Sequence, residues 1–489
     1  MAIVLAVALA LGACTSSDGA EGRPDDGEGS SANEGANEGA NEGGTANEGA
    51  NEGDTAENDE GAGSTTGEGA RASVVGLPDT AVGVATGQLL SSVLDGTVSA
   101  EQADGALDEL FLAEIGAEEF VTLSAQLPPL LSRSPVVTEL LLDTEFALAG
   151  TMLNPTDGSE WVVVAATRVT EPHRLLQLAV QPQPPDSVDG GLADLEAVRQ
   201  AWTELGPATD LAVVELDGTG PAACPSGGEA LAIGSAFKFY VLGAVATAVD
   251  AGTVGWDDEL TLVDEHISLP SGQLQLEEPG TSVTVAQAAE LMMAISDNTA
   301  TDHLLSLVGR DEVEAEQAAM GHGQPERNQP FYTTRELFQL KLGDPIRLGL
   351  VAAGDEAERR AILAELASAP LPELAEGDFT EPTAIDVEWF ATVGDLCRAV
   401  VDLDERGAEH PAVLDALTSG GAIRLDPEVW VSASFKGGSE PGVLSGTWLV
   451  THADGRRFVV IGIANDPDTP IDNERAFAVL GRLFQLLAG

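Results

Sequence analysis

Apolar residues recur at helical spacing through residues 84–94 and again through 106–123, which predicts two helices. Runs rich in β-branched and apolar residues at 138–152, 161–170 and 174–181 predict extended segments. Asn154-Pro155-Thr156-Asp157-Gly158 joins the first two of these as a hairpin turn. Residues 74–185 therefore form one α+β unit, closed by the stiff Gln181-Pro182-Gln183-Pro184-Pro185 break. Beyond the break, 192–205 reads as a helix and 210–216 as a strand. The far end mirrors this with strands at 429–435, 443–451 and 457–464, then a helix over 473–487. The predicted fold of residues 192–489 is an antiparallel sheet drawn from both ends of the segment, with flanking helices and a helical lobe inserted between them. The fold class is α+β, multidomain.

The N-terminal seventy residues break this pattern. Met1 to Ala13 is apolar and ends Leu11-Gly12-Ala13-Cys14. It is shorter than the roughly 20 residues a membrane span needs and closes on small residues, as a secretory signal does. Residues 15–72 then lack apolar periodicity, repeat Ala-Asn-Glu-Gly five times, and hold 15 acidic side chains against the single Arg23 up to residue 70. Such a segment cannot bury enough apolar surface to offset its ordering entropy, so a disordered acidic tether is expected.

Charge narrows the function classes. The chain of 489 residues has 22 Lys plus Arg against 81 Asp plus Glu, a formal net charge of −59. Nucleic acid is excluded as an expected partner, because a phosphate-tracking surface needs the opposite sign. Lysine is confined to Lys238, Lys341 and Lys436. In so lysine-poor a chain, each one draws attention. The six histidines show no metal-ligand spacing, no metal site is expected, and nothing in the sequence calls for a cofactor. Cys224 and Cys397 would lie in an oxidising compartment and can pair if the fold brings them together.

Three short motifs carry chemistry. Gly234-Ser235-Ala236-Phe237-Lys238 opens a predicted helix through about residue 249, so the Lys238 amine can reach the Ser235 hydroxyl. A helix-start Ser offers its own N–H to a developing oxyanion, and a lysine base needs a lowered pKa. Ser296-Asp297-Asn298 follows the apolar helix predicted at 285–295. There a second hydroxyl can pass a proton to a leaving nitrogen, while an Asn amide holds a substrate amide. Lys436-Gly437-Gly438 ends the 429–435 strand, adding a cation beside the nucleophile and a strand edge that a substrate backbone can approach closely.

Together and in this order, the motifs resemble the Ser-x-x-Lys, Ser-Asp-Asn and Lys-Thr-Gly set of class A β-lactamases and penicillin-binding proteins, over about residues 192–489. Asn328-Gln329-Pro330-Phe331-Tyr332-Thr333-Thr334-Arg335-Glu336-Leu337, Glu388-Trp389-Phe390-Ala391 and Phe435-Lys436-Gly437-Gly438-Ser439-Glu440-Pro441-Gly442 extend the likeness. The longer set resembles exported actinobacterial lipoproteins that join a steroid-isomerase-like domain to a β-lactamase-like one, as does a protein of the clavulanic-acid cluster. Leu11-Gly12-Ala13-Cys14 likewise resembles a lipobox, implying lipidation at Cys14, export, and anchoring on the extracytoplasmic face of the cell membrane.

The resemblance implies Ser235 as nucleophile, Lys238 as base, Ser296 as proton shuttle, Asn298, Lys436, Gly437, Gly438 and Ser439 as substrate contacts, and the N–H groups of Ser235 and Ser439 as oxyanion hole. The implied substrate is a β-lactam or a peptidoglycan-like peptide or ester. Two departures stand out. Gly437 replaces the hydroxyl residue usual after the third-motif lysine, so one hydrogen bond to a β-lactam carboxylate is missing unless Ser439 substitutes. No Glu-x-x-Leu-Asn stands between Ser296 and Lys436 to activate a deacylating water. Glu326 and Glu336 lie in that neighbourhood, and Glu336 reads as a solvated helix residue. Acylation with slow deacylation is the expectation; a penicillin-recognising sensor or a cell-wall D,D-peptidase are the alternatives. For the unit at 74–185, isomerase chemistry would need a phenol, and the only tyrosines, Tyr240 and Tyr332, lie outside it. A spacer or binding role is expected there.

Overall fold

A computed structural model of the chain describes residues 71–184, 188–216, 220–375 and 377–489. The apolar leader, Cys14 and most of the acidic tether lie outside the described residues.

Helix α1 (Ala81–Leu94) is capped by Thr80, whose side chain accepts from the Gly83 amide. The apolar run expected as one helix over 106–123 is broken, holding the last residue of α2 (Ala100–Ala106) and then two short helices, α3 (Glu109–Glu114) and α4 (Ala117–Ser124). It breaks at Leu107-Asp108 because the Asp108 amide donates to Leu175 O of a strand at 2.9 Å, while the Asp108 carboxylate caps α3. Gly116 begins α4. The stretch expected to be extended over 138–152 is two strands, β1 (Val136–Asp143) and β2 (Ala147–Leu153). They turn at Thr144, whose hydroxyl accepts from the Ala147 amide at 2.8 Å. With β3 (Glu160–Thr167) and β4 (Leu175–Pro182) they form an antiparallel sheet in the order β1-β2-β3-β4, and Asn154–Gly158 turns β2 into β3 as read from the sequence.

One face of this sheet closes over α1–α4, with Leu148, Met152, Val163 and Leu178 packed among Leu90, Phe111 and Phe120. Leu142, Phe146, Ala147 and Ala166 belong instead to the main core of the following segment. The sheet thus buries apolar surface on both sides, the second of them shared with the segment at 192–489.

That segment opens with α5 (Leu195–Thr203) and β5 (Ala208–Leu216). The chain then crosses into a helical lobe: β6 (Leu231–Ala232), α6 (Lys238–Asp250), β7 (Glu259–Thr261), β8 (Ser282–Thr284), α7 (Val285–Ala294), α8 (Asn298–Val308), α9 (Arg310–Ala319), α10 (Thr334–Lys341), α11 (Pro345–Ala353), α12 (Glu356–Leu366), β9 (Phe390–Ala391), α13 (Val393–Gly407) and α14 (Pro411–Thr418). It returns as β10 (Trp430–Glu440), β11 (Val443–His452), β12 (Arg457–Asn465) and α15 (Asn473–Ala488). The sheet order is β10-β11-β12-β5, antiparallel throughout, so both ends of the segment meet in it as expected. The β11 and β12 burial pattern is almost continuous, because α5 and α15 cover one face and the lobe covers the other. Cys224 and Cys397 form a disulfide that ties the approach to β6 onto α13. Among the described residues no helix is long and apolar enough to cross a membrane.

Candidate active site

Lys238 is where the geometry concentrates. The turn Gly234–Phe237 is a 3-10 turn ahead of α6, and at three residues per turn it sets Lys238 directly over Ser235. Behind it Phe237 stacks on Trp389 with ring centroids 3.7 Å apart, and Ile233 N donates to Trp389 O at 3.0 Å. The Glu388-Trp389-Phe390-Ala391 motif thereby backs the Gly234–Phe237 turn. Asn328 joins it, exchanging hydrogen bonds with the Phe390 backbone at 2.8 and 2.9 Å.

Ser235 is half-buried, whereas Lys238 is wholly buried. The Lys238 Nζ donates to Ser296 O at 2.7 Å and to Asn298 Oδ1 at 2.7 Å, and meets Ser296 Oγ at 2.9 Å. A neutral amine has two N–H groups and one lone pair. Two carbonyl acceptors and one hydroxyl suit that set when the hydroxyl donates, and suit the three N–H groups of the ammonium when it accepts, so burial decides between the two forms. Burial pushes the Lys238 pKa well below its ordinary value, the Lys436 charge pushes it further down, and Asp297 and Asp302 oppose this. The site therefore favours the form of lysine that can take a proton.

Ser296 has φ +58°, a left-handed conformation that a non-glycine residue keeps only when its surroundings impose it. Its carbonyl accepts from both Lys238 and Ser271 Oγ, the latter at 2.7 Å. Asp297 is buried and caps α8 through the Ala300 amide at 2.8 Å, while its other oxygen accepts from the Gln273 and Leu274 amides at 2.7 and 2.9 Å. Burial raises its pKa and those three N–H bonds pull it back down. Asp302, pushed up to about 7 by burial, caps α10 through the Thr334 and Arg335 amides. His303 is packed: its Nε2 accepts from the Val263 amide at 3.0 Å, and burial brings its pKa down to about 4.

Strand β10 supplies the third wall. Lys436 is 3 % exposed and donates, among its contacts, to Gly437 O at 2.7 Å. A Cβ placed on Gly438 would lie 2.2 Å from Ile233 O and 2.4 Å from Ser235 N, so only glycine allows this strand to meet the Gly234–Phe237 turn. A Cβ on Gly234, at φ +48°, would lie 3.0 Å from Ser439 N. The amides of Ser235 and Ser439 therefore stand beside one another. Ser439 is exposed and shares a strand face with Gly437, two residues away. The structure brings together Ser235, Lys238, Ser296, Asn298, Lys436, Gly437, Gly438 and Ser439. Cys14 lies outside the described residues.

The two candidate water-activating glutamates are placed otherwise. Glu336 is buried, contrary to the solvated helix position expected for it. It caps α10 through the Thr333 amide at 2.8 Å and pairs with Arg310 at 2.7 Å, because Arg310 folds back from α9 onto the start of α10. Glu326 is exposed. Sequence reading missed Ser271 and Gln273. Pro270-Ser271-Gly272 signals a turn, but nothing local shows that it clasps Ser296. It also missed that Lys341 is buried between Glu388, at 3.2 Å, and Glu440, two residues beyond Gly438 on β10. Among the described residues no group of three or more His, Cys, Asp or Glu is placed to hold a metal ion.

The β-lactamase enzyme family model matches residues 209–371, about a third of the chain, which hold Ser235, Lys238, Ser296 and Asn298. No curated protein matches the chain. Among solved structures it is similar to a β-lactamase from Sphaerobacter thermophilus, with 21% identity, 60% of this chain and 96% of that chain covered, and a TM-score of 0.41. It is similar to a point mutant of PBP-A in an acyl-enzyme complex with penicillin-G, with 18% identity, coverage of 63% and 98%, and a TM-score of 0.38. An ancestral (GNCA) class A β-lactamase shows 17% identity, coverage of 60% and 97%, and a TM-score of 0.40.

Proposed function

We propose that the chain is an exported, lipid-anchored serine hydrolase of the class A β-lactamase type that works through an acyl-enzyme on Ser235. The observation that carries this reading is the buried Lys238 amine, held by two carbonyl oxygens and the Ser296 hydroxyl, with its pKa lowered by burial and Lys436. Neutral Lys238 takes the Ser235 proton as Oγ attacks the substrate carbonyl. The negative charge gathers on the carbonyl oxygen between the Ser235 and Ser439 amides. Lys238 returns the proton through Ser296 Oγ to the leaving nitrogen as the C–N bond breaks, leaving an ester on Ser235. Asn298 and Lys436 hold the substrate amide and its anionic group.

The substrate class is a β-lactam or a related peptide amide or ester. Deacylation is slow, which is supported by the placement of Glu326 in solvent and of Glu336 against Arg310. Export and the membrane anchor rest on the Met1 to Cys14 leader. Intact mass after incubation with a penicillin and with a chromogenic cephalosporin tests the reading, with Ser235→Ala in parallel. A persistent adduct that the variant lacks is expected. Absence of both adduct and turnover, with esters and peptides as well, would overturn it.

A further inference from the structure

The loop 268–277 touches the Ser296-Asp297-Asn298 turn on one side and the N-terminal unit on the other. Toward the turn, Ser271 Oγ donates to Ser296 O at 2.7 Å, Ser271 O accepts the Asn298 amide at 3.0 Å, and Leu269 O accepts Asn298 Nδ2 at 3.1 Å. The Gln273 and Leu274 amides hold Asp297. All three residues of the motif are thus fixed from this loop. A Cβ on Gly272 would lie 2.3 Å from Asp297 Cγ and 2.6 Å from Asp297 Cα, so the loop backbone passes directly against this residue.

Toward the N-terminal unit the same loop is latched at residues 167–170, at and just past the end of β3. The Glu277 carboxylate accepts from the Val169 amide at 2.9 Å and from Thr170 Oγ1 at 3.3 Å. Gln273 Nε2 donates to Thr167 O at 3.4 Å, so one residue grips Asp297 with its backbone and the N-terminal sheet with its side chain. Arg168, paired with Asp108 at 2.9 Å, donates to Leu276 O. Glu277 is buried, and a buried carboxylate is tolerated where it is hydrogen-bonded; its partners here belong to the other unit. A left-handed Ser296 needs surroundings that over-determine it, and this chain of contacts supplies part of them.

We infer that the N-terminal unit is a working part of the active site: through residues 167–170 it fixes the loop 268–277, and Glu277 and Gln273 are positioning residues for Ser296. The structural coupling stands by itself; its catalytic consequence rests on the hydrolase reading above.

The test uses the full chain with Glu277→Ala, Glu277→Gln and Gln273→Ala. The control is Arg424→Ala, which removes another tie between the units, to Glu139 at 2.6 Å and to Glu160 at 2.9 Å, near the opposite end of β3. Amide hydrogen exchange at Gln273, Leu274 and Asn298 is read beside the acylation rate of Ser235. Glu277→Ala and Gln273→Ala are expected to speed exchange at those amides and slow acylation by about tens-fold, since a 1 Å misplacement costs on the order of 100-fold. Glu277→Gln, whose amide oxygen still accepts from Val169, restores both; Arg424→Ala moves neither. Unchanged exchange in Glu277→Ala and Gln273→Ala overturns the inference, as does an equal response in Arg424→Ala. Exchange that responds in a protein whose parent never acylates upholds the coupling and overturns only the hydrolase reading.

Discussion

Gly438→Ala is the sharpest perturbation the site offers, because the added methyl would meet backbone alone. Its Cβ would stand 2.2 Å from Ile233 O and 2.4 Å from Ser235 N, where real contacts are essentially never under 3.0 Å. Neither neighbour has a rotamer to escape into, so β10 and the Gly234–Phe237 turn must part by about 0.8 Å or more. Under the proposed mechanism that movement separates the Ser235 and Ser439 amides from the position of the developing oxyanion. Misplacement by about 1 Å costs on the order of 100-fold, and loss of one oxyanion donor costs roughly 100- to 1,000-fold. An acylation rate about 100-fold lower is expected, with a stability loss of about 1–3 kcal/mol from overpacking. The assay is single-turnover acylation by a penicillin, followed by intact mass, beside thermal unfolding. Gly437→Ala is the control, since its new Cβ meets the tip of the Phe435 ring at 2.8 Å, which can tilt, and Ser445 O at a tolerable 3.3 Å. Acylation at the parent rate in Gly438→Ala, or an equal loss in Gly437→Ala, refutes the close-approach account.

Two further outcomes follow from charge. In the proposed mechanism Lys238 is a base only when neutral, so acylation should rise with pH through its pKa; Lys436→Met removes one of the two causes that lower that pKa and is expected to move this limb of the pH profile to higher pH. A limb that stays in place refutes the assignment. Lys341→Met strands the Glu388 and Glu440 carboxylates and is expected to cost about 3–5 kcal/mol in denaturant unfolding, while adding Glu440→Gln recovers part of it; equal stability of the single variant and the parent refutes this.

What could be read beforehand was what the chain encodes locally. Ser235 and Lys238 are three residues apart, the strands of both sheets alternate or run apolar, and the turn at Asn154–Gly158 is spelled in its residues. The single helix expected over 106–123 failed because Asp108 is claimed by Leu175, 67 positions along the chain. Glu336 read as solvated because its partner Arg310 lies in another helix. The Ser271 clasp and the Glu277 latch are long-range in the same way, so no window of sequence contains both partners. Residue types signal chemistry; the contacts that hold it in place are set by topology.

All three lysines of the chain end in the interior: Lys238 is wholly buried, Lys436 is 3 % exposed, and the Lys341 side chain is 4 % exposed. Every fixed cation on the folded surface is therefore a guanidinium. Amine-directed reagents, whether crosslinkers, dyes or the activated esters used to couple proteins to beads, find no ε-ammonium on the folded surface to attack. Labelling that does occur on a side-chain amine reports that a lysine has come into solvent, so its time course becomes a clock for the opening of the fold around Ser235.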